Sequence, residues 1–344
     1  MKKRKIGVCG FLDRKKSGEN GQTIKTLAVL YELERVYGKE QVISVSTHNW
    51  KKKPFKLFFE IFSLAFKTKN VVIFPDQNGI RVILPILYIL KVFFRFKLFY
   101  AVVGAWLPYF LDKHKIIKIM VSKIDKVFVE SRVLETQLQE RNVLNTLIMN
   151  NFKQIEAIKD PSIYCGFPYK LCYFSRVIKQ KGIEDAIEVV KKINNNVVRC
   201  IFDIYGPIDE KYKEEFNELV QTFPNYIKYL GVIDPFSTVC VLKEYYLHLF
   251  PTKYATEGVP GSIIDSYFSG LPVLVSDWNS SRNVVMENIT GIIYAFNDNQ
   301  DFYNKLNWCL ENEEQINKMR LNCVEESKKY NSKEIIKVLI NELK

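Results

Sequence analysis

Two acidic residues, Glu257 and Asp265, stand eight positions apart where a loop enters a predicted helix. The helix opens with Gly261 and Ser262, so backbone N–H groups without an intrahelical partner are expected beside the carboxylates. Carboxylates accept hydrogen bonds from hydroxyl groups, and a helix N-terminus attracts phosphate. The spacing therefore indicates a site for a ligand that carries both hydroxyls and phosphate. An exposed capping carboxylate with an aspartate on the helix face is the plain structural alternative.

The elements around this pair alternate between strand-like and helix-like patterns. Strands are predicted at residues 5–11, 42–46, 70–75, 97–104 and 126–131 in the first half, and at 171–175, 198–206, 226–231, 247–252 and 271–277 in the second. Amphipathic helical patterns separate them, as at 183–193. Strands rich in Val, Ile and Phe with helices between them predict parallel sheets covered on both faces. A polar stretch at 150–168 interrupts the alternation, so we predict two α/β units that join there.

Residues 256–294 resemble the signature of the family-4 retaining glycosyltransferases of the GT-B fold. That signature places two acidic residues eight apart, followed by a Gly-Leu-Pro-Val strand and a later Thr-Gly. This chain has Glu257, Asp265, the tetrapeptide at 270–273 and the dipeptide at 290–291 in that order. The resemblance extends to residues 18–26, 150–153, 171–182, 203–207 and 229–233, and thus to nearly the whole chain, more strongly in its second half.

The resemblance implies a fold class of α/β type with two Rossmann-like domains and the active site in the cleft between them. Residues 1–152 would form the N-terminal, acceptor-side domain, completed by a C-terminal helix at about 330–344 that crosses back to it. Residues 153–329 would form the domain that binds the nucleotide-sugar. Glu257 would hold hydroxyls of the transferred sugar, and Asp265 would hold those of the ribose.

The resemblance also implies that Arg176 and Lys181 hold the diphosphate of the donor. A physical reason supports this, because breaking a glycosyl–phosphate bond builds negative charge on the diphosphate, which fixed cations stabilise. The sequence contains no Asp-x-Asp pair, so we expect neither a metal nor another cofactor. The resemblance adds as donor-binding residues Gly21, Val232, Gly258, Gly261 and Ser262.

Three departures from the family pattern are visible. Pro260 stands where the family commonly has glycine, which removes one phosphate-facing N–H. Asp265 replaces the usual glutamate and shortens the reach to the ribose. Residues 102–108 contain no histidine, although the family often carries one after this strand.

Composition narrows the choice of partners and compartment. Fifty Lys and Arg against 38 Asp and Glu give the 344-residue chain a formal charge of +12, which suits an anionic partner. Interleaved acidic residues and the lack of a nucleic-acid-binding motif argue against nucleic acid. Seven scattered cysteines without a Cys-x-x-Cys pair, and an N-terminus without the apolar region of a signal peptide, predict a cytoplasmic protein.

Two basic, aromatic and amphipathic stretches, 51–69 and 81–100, allow two interpretations. The uncharged run 82–90 is far shorter than the ~20 residues that span a membrane. The stretches are either helices that pack on the core with lysines in solvent, or helices that dock on the inner face of an anionic membrane. The second interpretation predicts a peripherally membrane-associated protein.

Together these features predict a metal-independent, retaining hexosyltransferase that moves a sugar from a nucleotide-sugar to an acceptor hydroxyl. The expected acceptor is a lipid-linked glycan in the synthesis of a bacterial capsule, exopolysaccharide or O-antigen. Two alternatives stay open, a nucleotide-sugar 2-epimerase of the same fold and a non-catalytic relative that binds membrane or nucleic acid. An epimerase would make no glycoside, and the presence of Glu257, Arg176 and Lys181 argues against a non-catalytic protein.

Overall fold

The computed structural model of the chain describes residues 4–12, 21–48, 50–235 and 237–344. The chain divides into two compact units, of which unit 1 comprises Met1–Phe152 and Asn331–Lys344 and unit 2 comprises Lys153–Tyr330. Each unit contains a six-stranded, wholly parallel sheet with helices between its strands. The predicted α/β class with two Rossmann-like domains is therefore confirmed.

Unit 1 begins with a regular alternation of strands and helices. The elements are β1 (Arg4–Gly10), α1 (Gly21–Tyr37), β2 (Val42–Ser46), α2 (Pro54–Lys67), β3 (Thr68–Ile73), α3 (Ile80–Phe94), β4 (Lys97–Ala101), α4 (Leu107–Lys113), α5 (Lys115–Lys123), β5 (Lys126–Val129), α6 (Arg132–Gln139) and β6 (Thr146–Ile148). The strand order is β2–β1–β3–β4–β5–β6. In the register of β1, Ile6 lies opposite Val42 of β2 on one side and Asn70 of β3 on the other.

Unit 2 repeats this pattern with a sheet of its own. The elements are β7 (Tyr169–Phe174), α7 (Ile183–Ile193), β8 (Cys200–Tyr205), α8 (Lys213–Gln221), β9 (Ile227–Gly231), α9 (Thr238–Leu242), β10 (Leu247–Phe250), α10 (Gly261–Phe268), β11 (Val273–Ser276), α11 (Ser281–Val284), β12 (Gly291–Tyr294), α12 (Asn299–Glu311) and α13 (Glu313–Ser327). The strand order is β12–β11–β10–β7–β8–β9.

The last helix, α14 (Ser332–Leu343), returns to unit 1, as predicted. It packs against α1, where its buried Ile336 and Leu339 share a core with Leu33. Ser332 Oγ donates to Glu32 Oε1 at 2.9 Å, and Asn70 Nδ2 donates to the carbonyl of Leu343 at 2.8 Å. Both ends of α14 are therefore bonded to unit 1.

Alternating side chains of the first sheet supply two separate cores. On β4, Leu98 and Tyr100 face the core formed with α2 and α3, whereas Phe99 and Ala101 face the core formed with α1 and α14. The two-residue period of a strand produces this alternation. A strand that is apolar on both faces is typical of a parallel sheet with helices on both sides, which is why β4 reads as a continuous apolar run.

The strand order of unit 2 changes direction between β7 and β10, since β8 and β9 continue on one side and β11 and β12 on the other. Ligands of open parallel sheets bind beyond the carboxyl ends of the strands at such a switch point. The segment after β7 carries Arg176 and Lys181, and the segment after β10 carries Glu257. The topology of unit 2 thus brings the predicted catalytic residues to the place where a ligand is expected.

Candidate active site

Lys181 and Glu257 form an ion pair at the switch point of unit 2. Lys181 ends a 3₁₀ turn (Lys179–Lys181) after β7, and Glu257 lies in the loop between β10 and α10. Lys181 Nζ donates a hydrogen bond to Glu257 Oε2. The two side chains are 13% and 17% exposed, so the pair is shielded from bulk solvent but open to a ligand. The structure therefore joins two of the three residues predicted to be catalytic.

Gly182 allows the two segments to approach so closely. Its φ is +69°, and a Cβ at this position would lie 1.8 Å from the carbonyl oxygen of Pro251. A glycine avoids both the backbone strain and the overlap. The N–H of Lys253 also donates to the carbonyl of Gln180 at 2.8 Å. The glycine after Lys181 thus permits the lysine to lie next to the loop that carries Glu257.

Neighbouring side chains hold the ion pair in place. Lys181 Nζ lies 4.9 Å from the ring centroid of Phe250 and 5.8 Å from that of Tyr254, whose electron-rich faces attract an ammonium group. Thr252 Oγ1 donates to Glu257 Oε2 at 3.3 Å, and the N–H of Glu257 donates to the carbonyl of Tyr254 at 3.2 Å. A carboxylate fixed in this way can hold hydroxyl groups of a ligand in one orientation.

The N-terminus of α10 follows Glu257 directly in the chain. The N–H groups of Ile263 and Ile264 donate to the carbonyl of Pro260 at 3.1 and 3.3 Å, so the intrahelical bonds start there. The N–H groups of Gly261 and Ser262 precede these bonds and point out of the helix end. Such an end favours anions, including phosphate. The predicted donor amides therefore lie where a helix can offer them.

Asp265 lies on the second turn of α10 and is paired with Lys153. Lys153 Nζ donates to Asp265 Oδ2 at 2.8 Å, and the aspartate side chain is only 6% exposed. Burial raises the pKa of Asp265, and the ammonium of Lys153 opposes that rise. Sequence analysis did not predict Lys153 as a site residue, although the segment 150–153 was part of the family resemblance. The spacing of the acidic residues gave no indication that this lysine would reach Asp265.

Arg176 has a different partner from Lys181. Its Nη2 donates to Asp209 Oδ2 in the loop after β8, and the guanidinium side chain is 47% exposed. The backbone carbonyl of Arg176 accepts a hydrogen bond from the hydroxyl of Tyr173 at 3.0 Å. An exposed ion pair contributes little to stability, so Arg176 can exchange Asp209 for a more highly charged anion.

The remaining predicted donor contacts are less closely defined. Gly258 is half-buried between Glu257 and α10, and Val232 is exposed after β9. Gly21 is the first residue of α1 in unit 1, and a Cβ there would meet nothing within 4 Å. The surroundings of Gly21 therefore do not require glycine. Residues 13–20, which include most of the predicted glycine loop, lie outside the described residues.

His248 connects β10 to α10 from inside the core. The N–H of Phe174 donates to His248 Nε2 at 3.3 Å, so the ring proton sits on Nδ1, which donates to Ser266 Oγ at 2.7 Å. Ser266 Oγ in turn donates to the carbonyl of Ser262 at 3.1 Å. Burial lowers the pKa of His248 to about 3, so the ring stays neutral and supports the helix end without acting as an acid.

The charged groups of this site are the ammonium and guanidinium groups of Lys and Arg and the carboxylates of Asp and Glu. Glu257 and Asp265 each bind a lysine, Lys181 and Lys153 respectively. Within the part of the chain that the structure describes, no group of three or more His, Cys, Asp or Glu side chains is placed to hold a metal ion. The positive charge that these residues offer to a bound anion comes from the two lysines and from Arg176.

Unit 1 contains a cavity of about 320 Å³ at the carboxyl ends of β1, β2 and β3. Its walls include two aromatic residues, an amide, a carboxylate and two lysines, namely Phe11, Trp50, Gln22, Asp76, Lys51 and Lys52. The volume is in the range of sites for small molecules. Aromatic faces together with hydrogen-bonding groups suit a sugar ring.

Three neighbouring helices of unit 1 expose large apolar side chains. The exposed residues are Phe55, Phe58, Phe59, Phe62 and Phe66 on α2, Ile89, Val92 and Phe93 on α3, and Ile116 and Ile119 on α5. These ten side chains form the aromatic face; α2 packs against α3, and α3 packs against α5. Core packing accounts for only one side of α2, where Leu57, Ile61 and Leu64 are buried. No helix among the described residues is long and apolar enough to span a membrane.

The fold of both units is that of the GT-B glycosyltransferases. Residues 157–330, half of the chain, match the family described as glycosyl transferases group 1. The chain belongs to this family.

Among curated proteins, the chain is 23% identical over 227 residues to MJ1069, an uncharacterized glycosyltransferase of Methanocaldococcus jannaschii. The aligned region covers 60% of this chain and 54% of that protein, so the match spans about half the length of this curated relative.

Two solved structures show the same fold over almost the full length. HepE of Anabaena, in complex with UDP and glucose, has a TM-score of 0.75, 14% identity and 99% coverage of both chains. Sucrose-phosphate synthase of Thermosynechococcus elongatus has a TM-score of 0.77, 14% identity and 98% coverage of both chains. At this level of identity, the likeness establishes the GT-B fold alone.

Proposed function

We propose that the chain is a retaining, metal-independent glycosyltransferase that moves a hexosyl group from a nucleotide-sugar to an acceptor hydroxyl. The observation that carries this proposal is the Lys181–Glu257 pair at the switch point of unit 2, next to the amide end of α10. Family membership supports glycosyl transfer. The UDP and glucose bound by HepE support a nucleotide-sugar as the donor.

In the proposed donor complex, Glu257 binds hydroxyls of the transferred sugar and Asp265 binds the ribose. Glu257 suits the sugar because Lys181 and Thr252 fix one of its oxygens, which orients the carboxylate. Asp265 is bonded to Lys153, so ribose hydroxyls would share its carboxylate with an ammonium group. Further donor contacts are proposed at Gly258 beside Glu257, at Val232 after β9 and, in unit 1, at Gly21.

The diphosphate is proposed to lie between Lys181, Arg176 and the N–H groups of Gly261 and Ser262. Lys181 carries three N–H donors, so it can keep its bond to Glu257 and still donate to phosphate oxygens. Arg176 can turn from Asp209 to the diphosphate because it is exposed. Fixed cations at this place stabilise the charge that grows on the leaving diphosphate. Under this proposal neither a metal ion nor another cofactor takes part.

Retention is proposed to follow from attack on the front face of the sugar. The acceptor hydroxyl attacks the anomeric carbon on the side from which the diphosphate leaves. The bond from that carbon to the phosphate oxygen breaks, the bond to the acceptor oxygen forms, and the hydroxyl proton passes to a donor phosphate oxygen. Glu257 is engaged by Lys181 and Thr252, which suits a hydrogen-bonding role better than that of a nucleophile.

The proposed acceptor is a lipid-linked glycan of bacterial capsule, exopolysaccharide or O-antigen synthesis, reached from the cytoplasmic side. The aromatic face supports a peripheral position on an anionic membrane. Exposed lysines flank it, with Lys51, Lys52 and Lys53 before α2 and Lys113 and Lys115 around the start of α5. The cavity in unit 1 is a proposed place for the acceptor sugar, since lysines of the same basic segment line it.

A donor screen followed by product analysis tests the proposal. Thermal unfolding is measured with UDP-, GDP- and ADP-sugars, and with CMP-sugars, which carry no diphosphate, as a comparison, because ligand binding raises apparent stability. The best donor is then incubated with a lipid-linked glycan acceptor in excess EDTA, and the anomeric configuration of the product is read by NMR. We expect a glycoside with the configuration of the donor.

Three results would contradict this proposal. Loss of activity in EDTA that Mg²⁺ or Mn²⁺ restores would exclude the metal-independent reaction. A product of inverted configuration would exclude retention. An epimerised nucleotide-sugar without any glycoside would indicate a 2-epimerase of the same fold.

A further inference from the structure

The Lys153–Asp265 pair places an ammonium group against the first turn of α10. Lys153 Nζ lies 2.8 Å from Asp265 Oδ2, and the lysine side chain is 17% exposed. Lys153 is the first residue of unit 2, and its N–H donates to the carbonyl of Tyr330, the last residue of that unit, at 3.2 Å. The lysine is therefore anchored at its backbone and bonded at its side-chain end.

Gly261 lies next to this ammonium. A Cβ on Gly261 would be 3.4 Å from both Cε and Nζ of Lys153. The ammonium thus lies beside the first residue of α10, where the N–H groups of Gly261 and Ser262 point out of the helix. A cation at a helix N-terminus is unfavourable unless an anion is close by. Asp265 supplies one negative charge there, and the amides with the lysine together favour a second.

We propose that Lys153 is a further donor-binding residue, which binds the diphosphate of the nucleotide together with Arg176 and Lys181. This inference rests on the proposed function of the site. Pro260 lacks the N–H that a glycine would offer at this helix end, and Lys153 brings positive charge and hydrogen-bond donors to the same place. With one N–H of the ammonium on Asp265, two remain for phosphate oxygens.

A purely structural role for Lys153 predicts a different outcome. If the lysine only neutralises the buried carboxylate, it becomes dispensable once Asp265 is replaced by a neutral residue. The comparison is therefore made in the Asp265→Asn background, where Lys153→Met leaves no unpaired charge at position 265. The aliphatic part of methionine also keeps most of the packing on Gly261.

The probe is whichever of UDP, GDP, ADP and CDP stabilises the wild-type chain most, together with the nucleoside of the same base. Dissociation constants are measured by calorimetry for Asp265→Asn and for Asp265→Asn with Lys153→Met. Lys153→Met is expected to weaken diphosphate binding on the order of 10- to 100-fold, typical of a lost bond to a charged group, and to leave nucleoside binding unchanged. In the same background, Lys153→Arg should retain most of the affinity, and the exposed Lys159→Met should retain all of it.

The results separate the role of Lys153 from the function of the site. The inference is overturned if Lys153→Met weakens binding of the nucleoside and of the diphosphate equally, or weakens neither. Thermal unfolding without ligand confirms that each variant is folded. If the wild-type chain binds none of the four diphosphates, the proposed function itself is overturned, and the role of Lys153 with it.

Discussion

Glu257 and Asp265 belong to one motif but occupy different environments. Glu257 lies in a loop, where Lys181 and Thr252 hold one of its oxygens. Asp265 lies on α10, where its side chain is buried and paired with Lys153. In the proposed reaction the sugar bound by Glu257 gains positive charge at its anomeric carbon, whereas the ribose near Asp265 does not change. The two carboxylates should therefore contribute to different kinetic constants.

Glu257→Gln is expected to lower kcat on the order of 100-fold and to change donor affinity only within a few-fold, because its contacts strengthen in the transition state. Asp265→Asn is expected to raise KM on the order of 10-fold with a smaller effect on kcat, because it loses uniform binding. Measurement of kcat, KM and the nucleotide Kd for both variants tests this difference. Swapped or identical patterns would show that the assigned roles are wrong.

The cations that face the proposed diphosphate can be tested with a control on the same 3₁₀ turn. Lys181→Ala and Arg176→Ala should each reduce kcat on the order of 100-fold, since each removes a charge that stabilises the leaving group. Lys179→Ala should change kcat within about two-fold, because Lys179 pairs with Glu215 and Glu184 at the surface and such exposed ion pairs contribute little. Near-normal turnover in both Lys181→Ala and Arg176→Ala would place the diphosphate elsewhere.

The segments after β7 and β10 act together because Gly182 lets them touch. Gly182→Ala is expected to force the Pro251 carbonyl away, to separate Lys181 from Glu257 and so to reduce kcat at least about 10-fold. The left-handed backbone conformation adds roughly 1–3 kcal/mol of destabilisation. Gly38→Ala is the control, because Gly38 also has a positive φ, of +84°, but its Cβ would approach only the flexible side chain of the exposed Glu40. Chemical denaturation and kinetics of both variants separate backbone strain from the close approach, and equal kcat values would contradict this account.

Local patterns of apolar and polar residues in the sequence predicted most of the strands and helices. All ten predicted strands are present, β2 has its predicted bounds, and α7 spans the predicted 183–193. The prediction omitted β6, which has only three residues, and β12, although residues 292–296 form an uninterrupted apolar run of the length that indicates a buried strand.

The motif predicted Lys181 and Glu257 as site residues, and the structure brings them together. Two other pairs could not be predicted from the sequence. Arg176–Asp209 and Lys153–Asp265 join residues 33 and 112 positions apart, so they depend on sheet order and side-chain rotamers. Local sequence patterns contain neither kind of information.

At the scale of the whole molecule, the aromatic face and the net charge of +12 predict binding to anionic membranes. The protein should sediment with phosphatidylcholine vesicles that contain phosphatidylglycerol, and added salt should release it. Phe55→Ser with Phe59→Ser should reduce partitioning on the order of tenfold per ring, because each buried ring contributes about 1.5–3 kcal/mol. Leu144→Ser is the control, since Leu144 is an exposed apolar residue of unit 1 outside the aromatic face. Equal binding to pure phosphatidylcholine vesicles, or binding to neither kind, would contradict the membrane proposal.

The return of α14 to unit 1 has a consequence for biosynthesis. A ribosome makes all of unit 2 after Phe152 and before Ser332, which takes on the order of 10–40 s at typical elongation rates. During that interval, Val29 and Leu33 of α1 lack the cover that Ile336 and Leu339 later provide. The nascent first unit therefore exposes this apolar strip to chaperones and to aggregation until α14 is synthesised and packs against α1.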